Sequence, residues 1–495
     1  MDHRPIFLSG LVFLLLTLSS IVLLGGNFIP AVILASALFA GVLIYCLRPS
    51  VDQVCLVLLA VAVVLEPPAA NPYYDHTPIT EILGALFFNS IKKISGIPLP
   101  FNIYEMISFL CAGAILVNFR LRKNPVNIVT IIVAASIPLV AVFSILVGQL
   151  KGNQLGLAIT QIRSFPILPT WVILGFYLAR KRENLFHILN IVKWGSLFKA
   201  VYAILFFSIS MGGTLGDQEY LIDHMSSYIL GLAMVIVAAE VVFDRRAEIH
   251  KILINMIFFF IYLIPFIIND RRTAMLGLVF IVLSFPALIE KNLLKKLLVP
   301  LLMILPFVIM TIVGVVGFAF VSNSAGAQLI RSYISAAPEQ NLSYRSIENF
   351  NLFQGVRQSP ILGQGFGSKY PIYMELPDIS HAFELFDAIP HNHVFYIWVF
   401  AGPIGIGGLS LVTLIPLISA VRLSGHSSHG IIPIIGFVTF SALVLWLVYV
   451  FFDMGLLAIR PMTMTAILIG ATFALYRNYV QTGRGGLRTK LFFKL

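Results

Sequence analysis

The chain has 495 residues, with 33 Lys and Arg against 22 Asp and Glu, so it carries a formal charge of +11 although only 11% of its residues are charged. Hydrophobic residues make up 59%, including 40 phenylalanines, and the mean hydropathy is +0.94; a soluble domain has about 45–50% apolar residues and a charged coat that this chain cannot supply. A soluble enzyme, a secreted disulfide scaffold and a disordered chain are excluded, which leaves an all-α, polytopic membrane protein. A pI near 9.5 in a soluble protein would point to nucleic acid, whereas in a membrane protein Lys and Arg mark the cytoplasmic loops.

A helix needs about 20 apolar residues to cross the hydrocarbon. That rule predicts fourteen spans in chain order: 6–25, 28–47, 51–66, 104–119, 127–149, 164–179, 187–209, 225–243, 252–268, 273–289, 297–321, 394–421, 431–452 and 458–476. The first has only Arg4 ahead of it as a basic residue and no small-residue cleavage site after it, so it reads as a retained helix. An even number of spans puts both termini on one side. With the termini in the cytoplasm, 20 of the 33 basic residues lie on cytoplasmic segments, including the tail 477–495, as the positive-inside rule requires. Lys193 and Lys199 fall inside the seventh span, and Lys199 is either a functional intramembrane lysine or a side chain reaching back to the cytoplasmic face. Cys46, Cys55 and Cys111 all fall inside spans and read as small apolar packing residues.

The chain divides into eleven spans over 1–321 with a smaller far-side insertion at 67–103, a long far-side loop at 322–393, and three further spans over 394–476. The insertion contains an apolar segment, Ile79 to Ile94, expected to form a partly buried or surface-lying helix. In the long loop, Ser343 to Gln358 reads as an amphipathic helix, with Ile347, Phe350, Phe353 and Val356 as its apolar stripe and Ser359-Pro360 as its stop. Gly363-Gln364-Gly365-Phe366-Gly367 follows. It fails as a nucleotide fingerprint, because no strand-and-helix unit surrounds it, and reads as a tight or flexible turn at the membrane surface.

The eleven far-side basic residues stand where the sorting rule discourages them. Arg163 begins the sixth span, Arg271 and Arg272 follow Asn269-Asp270 between the ninth and tenth, and Arg345 and Arg357 lie on the loop helix. Each taken alone is explained by snorkelling or by pairing with a nearby acid such as Asp270 or Glu348. Several converging on one cavity would instead point to an anion, since the guanidinium fork matches phosphate. Where the loop re-enters the membrane stand His391-Asn392-His393. An imidazole there can take a proton from an attacking hydroxyl, or simply be a wet interfacial ring. His391 and His393 at i and i+2 cannot share a helix face, and no zinc spacing or DxD pair accompanies them; no metal or other cofactor is expected. His381 reads as an ordinary loop histidine.

Tyr344-Arg345, Phe350, Pro360, Gly363-x-Gly365-x-Gly367, His391-Asn392 and Ala401-Gly402-Pro403-Ile404-Gly405 together resemble the O-antigen ligase and polymerase superfamily. The likeness is close over roughly 345–410, and the many-span layout with one long periplasmic loop agrees with it. It departs where Phe350 stands near a position at which the family often has tryptophan. The resemblance implies glycan transfer at the periplasmic face of the inner membrane from an undecaprenyl-diphosphate donor. In that scheme His391 is the base, Arg163, Arg271, Arg272 and Arg345 bind the diphosphate, and Asn392 and Glu348 orient the base or bind sugar. Adjacent Arg271 and Arg272 differ by about 100° around a helix, so one alone is expected to face the site.

The expected function is therefore a surface-polysaccharide polymerase or ligase, with polymerase favoured because nothing in the chain marks a lipid A core acceptor, and with a protein-glycosylating relative as a third branch. Its partners would be the lipid-linked oligosaccharide, an acceptor glycan (a second lipid-linked repeat or lipid A core), the bilayer, and a chain-length regulator and flippase; nucleic acid is not among them. The rivals are a lipid-linked-oligosaccharide flippase or other transporter, which should show paired halves and broken helices, and a non-catalytic scaffold of an export complex.

Overall fold

A computed structural model describes residues 50–68, 78–91, 101–121, 126–213, 221–243, 248–288, 339–380, 383–425 and 430–481. The expected spans 6–25, 28–47 and 297–321, together with Cys46, Arg331 and His381, lie outside them. The described chain is helical, with a lone antiparallel bridge between Ser90 and Asn102.

In chain order the helices are α1 Val51–Val64, α2 Ile79–Phe88, α3 Ile103–Leu121, α4 Ile128–Leu150, α5 Leu155–Ile162, α6 Ile167–Leu178, α7 Arg182–Leu205, α8 Ser226–Phe243, α9 Ile249–Ile268, α10 Arg272–Leu288, α11 Glu339–Gln358, α12 His393–Ser424, α13 Ile431–Phe452 and α14 Ile459–Gln481. Eight stretches among the described residues are long and apolar enough to cross a membrane: 128–150, 155–178, 182–210, 226–243, 249–268, 393–424, 431–452 and 459–477. The protein is a polytopic helical membrane protein. Each span expected within the described region coincides with a helix, its ends displaced by a few residues.

Burial sorts the helices into an inner set and an outer set. Nearly every residue of α13 and most of α8 and α14 are covered, and α14 packs most extensively on α6. By contrast α9 buries only Tyr262, Pro265 and Phe266. Its exposed Ile249, Leu253, Ile257 and Phe260 form the apolar exterior that hydrocarbon favours. The short α2 lies where a partly buried helix is expected. It buries Thr80, Gly84 and Phe88 and exposes Ile79, Ile82, Leu83 and Leu86.

One structural joint fixes the end of the bundle that matters for function. The peptide N–H of residue 403 would normally bond to the carbonyl of Val399, but residue 403 is proline and has none. The backbone of α12 breaks at Gly402, with φ at 61° and ψ at −157°. The glycine turn occupies the opening: Gln364 N–H donates to the Val399 carbonyl at 2.7 Å and Gly365 N–H to that of Phe400 at 2.9 Å. Gly363, Gly365 and Gly367 have φ of 70°, 78° and 100°, a left-handed backbone that only glycine adopts at little cost. On the other side, Phe366 N–H donates to the Ser144 carbonyl of α4, and the Asn153 side chain donates to the carbonyls of Gln364, Gly365 and Phe366. The alternating glycines are a tight turn wedged between α4 and the kink of α12.

Candidate active site

The ends of α4, α6, α8, α9, α10, α12, α13 and α14 nearest this joint, together with α11, surround the residues singled out from sequence. The short connection between α13 and α14 is the meeting point. Ser164 donates to the Leu456 carbonyl at 2.9 Å, and Leu456 N–H donates to His393 Nδ1 at 2.9 Å. The Arg345 guanidinium donates to the Phe452 carbonyl.

His391 does not stand alone. Its Nδ1 lies 3.1 Å from Glu348 Oε1, and its backbone N–H donates to Glu348 Oε2 at 3.1 Å. Glu348 is 1% exposed while the imidazole keeps 20% exposure. A carboxylate offers only acceptors, so Nδ1 carries the proton and Nε2 is left as the basic nitrogen. The Tyr344 ring meets the imidazole edge-on, 5.8 Å between centroids, which leaves the ring little freedom to turn.

This changes the reading of α11. The expected apolar stripe is not the buried face: Phe350 and Phe353 are 42% and 45% exposed, and Ile347 is half-buried. Of that stripe only Val356 is covered, and the buried face runs through Tyr344, Glu348, Asn351, Leu352 and Val356. Asn351 holds the following segment by accepting from Tyr373 N–H and Met374 N–H and donating to the Met374 carbonyl. Glu348 thus faces inward to His391, and Arg345 lies on another side of the helix, at Phe452. Arg357 lies over the exposed Phe353 ring, 5.1 Å from its centroid.

Asp453, which follows α13, was not anticipated. It is 7% exposed. Burial pushes its carboxyl up, but the combined field of His224, Arg271, Arg345 and His391 outweighs burial and holds it below its ordinary value. Of the arginines singled out from sequence, Arg271 and Arg345 act on this acid, which is contributed by the connection between α13 and α14. Arg271 is half-buried within this cluster, whereas Arg272 is exposed. A turn at Asp270, with φ of 43°, separates them from α9.

The remaining candidates are placed as follows. Arg163, between α5 and α6, pairs with the fully buried Glu105 at 3.3 Å. Neighbouring Ser164 ties that turn to Leu456. Asn392 is the N-cap of α12: its side-chain oxygen accepts from Phe395 N–H at 3.2 Å and its amide donates to Asn349 at 3.1 Å. It holds the His391 loop against α11. Lys199 pairs with Glu66 at 2.8 Å, both fully buried, so it does not reach back along α7 to the cytoplasmic end. Cys55 and Cys111 are buried free thiols. Among the described residues no group of three or more His, Cys, Asp and Glu is placed to hold a metal ion.

The fold and site define a polytopic membrane protein with a carboxylate-held imidazole beside a cluster of arginines at one end of its helical bundle. Residues 257–410 match the family described as O-antigen ligase, and this domain supports a function of O-antigen ligase or polymerase type. The matched stretch includes Arg271, Arg345, Glu348, the glycine turn, His391 and the Gly402-Pro403 kink. A comparison with curated proteins gives no match.

Proposed function

We propose that the chain transfers a glycan from an undecaprenyl-diphosphate-linked donor to a sugar hydroxyl of an acceptor, at the periplasmic face of the bacterial inner membrane with both termini cytoplasmic. The observation that carries this reading is His391 held through Nδ1 and its own backbone by Glu348, beside Arg271 and Arg345. His391 Nε2 takes the proton of the acceptor hydroxyl as that oxygen attacks the anomeric carbon. The bond from that carbon to the diphosphate breaks, and undecaprenyl diphosphate leaves with the bonding pair. Glu348 stabilises the imidazolium that forms, and proton transfer of this kind contributes roughly 10²–10⁴ in rate. Arg271 and Arg345 face the charge that grows on the leaving diphosphate; Arg163 and Arg272 complete the proposed set further out. Loop 322–393 is the catalytic segment, Asn392 orients the base, and the scheme uses no metal or cofactor. The acceptor is a second lipid-linked repeat or lipid A core, and a chain-length regulator and flippase are natural partners.

His391→Ala tests this reading. With membrane insertion verified, surface glycan of full length would overturn it. A single repeat on the acceptor is the result expected of a polymerase, and accumulated lipid-linked polymer that of a ligase.

A further inference from the structure

Outside the residues assigned to transfer, the site end of the bundle holds a second imidazole with its own carboxylate. His224 Nδ1 lies 3.3 Å from Asp223 Oδ1. Both belong to a short connection leading into α8, and that connection is fixed from three directions. Leu221 N–H and Ile222 N–H both donate to Asn269 Oδ1 at 3.0 Å, and the Asn269 amide donates to Ser227 Oγ at 2.8 Å. Asn269 is fully buried and stands two residues before Arg271, so this bolt places His224 beside the turn that presents that arginine. Asp223 in turn receives Arg460 on its other oxygen at 2.7 Å, and its N–H donates to Glu66 Oε2 at 3.1 Å. Glu66 is paired with Lys199. Finally, the His224 carbonyl accepts from the Tyr449 hydroxyl at 3.4 Å, on the last turn of α13 before Asp453.

Buried Glu66, Lys199 and Arg460 and half-buried Asp223 balance in charge, as groups largely removed from water must. They take no part in proton transfer at His391. What they do is hold Asp223 rigid, and Asp223 holds the His224 ring, 35% of which remains exposed. We propose that His224 is a further donor-binding residue, whose imidazole contacts the diphosphate of the lipid-linked donor beside Arg271. The field at Asp453 agrees, since His224 acts there together with Arg271, Arg345 and His391. A diphosphate presents several strong acceptor oxygens, and an imidazolium that donates Nδ1–H to Asp223 donates Nε2–H to one of them. His224 lies outside the matched family stretch.

This inference rests on the proposed diphosphate donor, and the experiment separates the two. The full-length chain in nanodiscs is titrated with undecaprenyl diphosphate and with undecaprenyl monophosphate. His224→Ala is expected to weaken the diphosphate about tenfold, the loss of one charge-assisted hydrogen bond, and to leave the monophosphate unchanged. A merely structural role would weaken both lipids in parallel and overturns the proposal. Unchanged diphosphate binding in His224→Ala, with a loss in Arg271→Ala, overturns it while leaving the donor reading standing. No loss in either variant overturns the donor reading and the proposal with it. His224→Gln keeps the bulk and a donor toward Asp223; it covers the case in which the alanine variant does not fold and should show the same selective loss in smaller measure.

Discussion

Glu348→Gln isolates what the buried carboxylate does for His391. The side chain is isosteric, so packing is preserved, but Glu348 uses both oxygens as acceptors, one for His391 Nδ1 and one for the His391 backbone N–H, each at 3.1 Å. Glutamine has one acceptor. If it faces the backbone N–H, the amide donates to Nδ1, the ring proton moves to Nε2, and the base can no longer take a proton. If it faces Nδ1, two donors oppose each other in a pocket from which water is excluded. The first case forfeits the base contribution, roughly 10²–10⁴ in kcat; the second costs a hydrogen bond to a charged group, about 1.5–3 kcal/mol, or about tenfold to 150-fold in kcat. KM for the donor should hold, because the groups facing the diphosphate are untouched. Initial rates on purified protein in liposomes, with lipid-linked donor and acceptor resolved as a gel ladder, measure both constants. A variant with the wild-type kcat, or one that loses only KM, would refute the assignment of Glu348 as the group that sets the ring.

Other outcomes follow from the same geometry. Gly365→Ala would put a Cβ 2.2 Å from Gly148 N at a φ of 78°, so it should cost at least about 3 kcal/mol and appear as a large fall in melting temperature or failure to accumulate in membranes. Arg271→Lys should impair transfer more than Arg272→Lys, because only Arg271 lies in the cluster around Asp453; equal effects in a transfer assay would count against the cluster. Asp453 has its folded pKa below the ordinary 3.8. Its charge therefore stabilises the fold at pH values above 3.8, and that contribution disappears as pH falls through the lower folded value. Asp453→Asn should melt below wild type at neutral pH, with the gap closing only in acid below 3.8; a gap independent of pH would reject the charge argument.

Span positions were legible from the sequence because a twenty-residue apolar run is imposed by the solvent itself. The turn, the His391 site and the arginines were legible as pieces whose order matches a known superfamily. The inward face of α11 was not. A stripe of Ile347, Phe350, Phe353 and Val356 suggests an apolar buried face, but specific polar contacts decide which side of α11 turns inward: Glu348 to His391, and Asn351 to Tyr373 and Met374. Asp453 has its own signal in the sequence, a lone acid between two long apolar runs. The partner of Lys199 is not legible, since nothing local ties α7 to Glu66, 133 positions away.

The break at Gly402-Pro403 has a consequence for how the protein is assembled. A helix carbonyl left open within a bilayer costs several kcal/mol, so α12 with a proline at 403 is an incomplete object until Gln364 and Gly365 arrive. The turn is equally incomplete alone, for its glycine backbone has no regular structure to satisfy it. Helix and turn are obligate complements, and synthesis makes the turn first. The turn must therefore be in place at the end where α12 begins before that helix can settle. Insertion of the helix and seating of the loop become a single event, and the His391 pocket is completed in the same step.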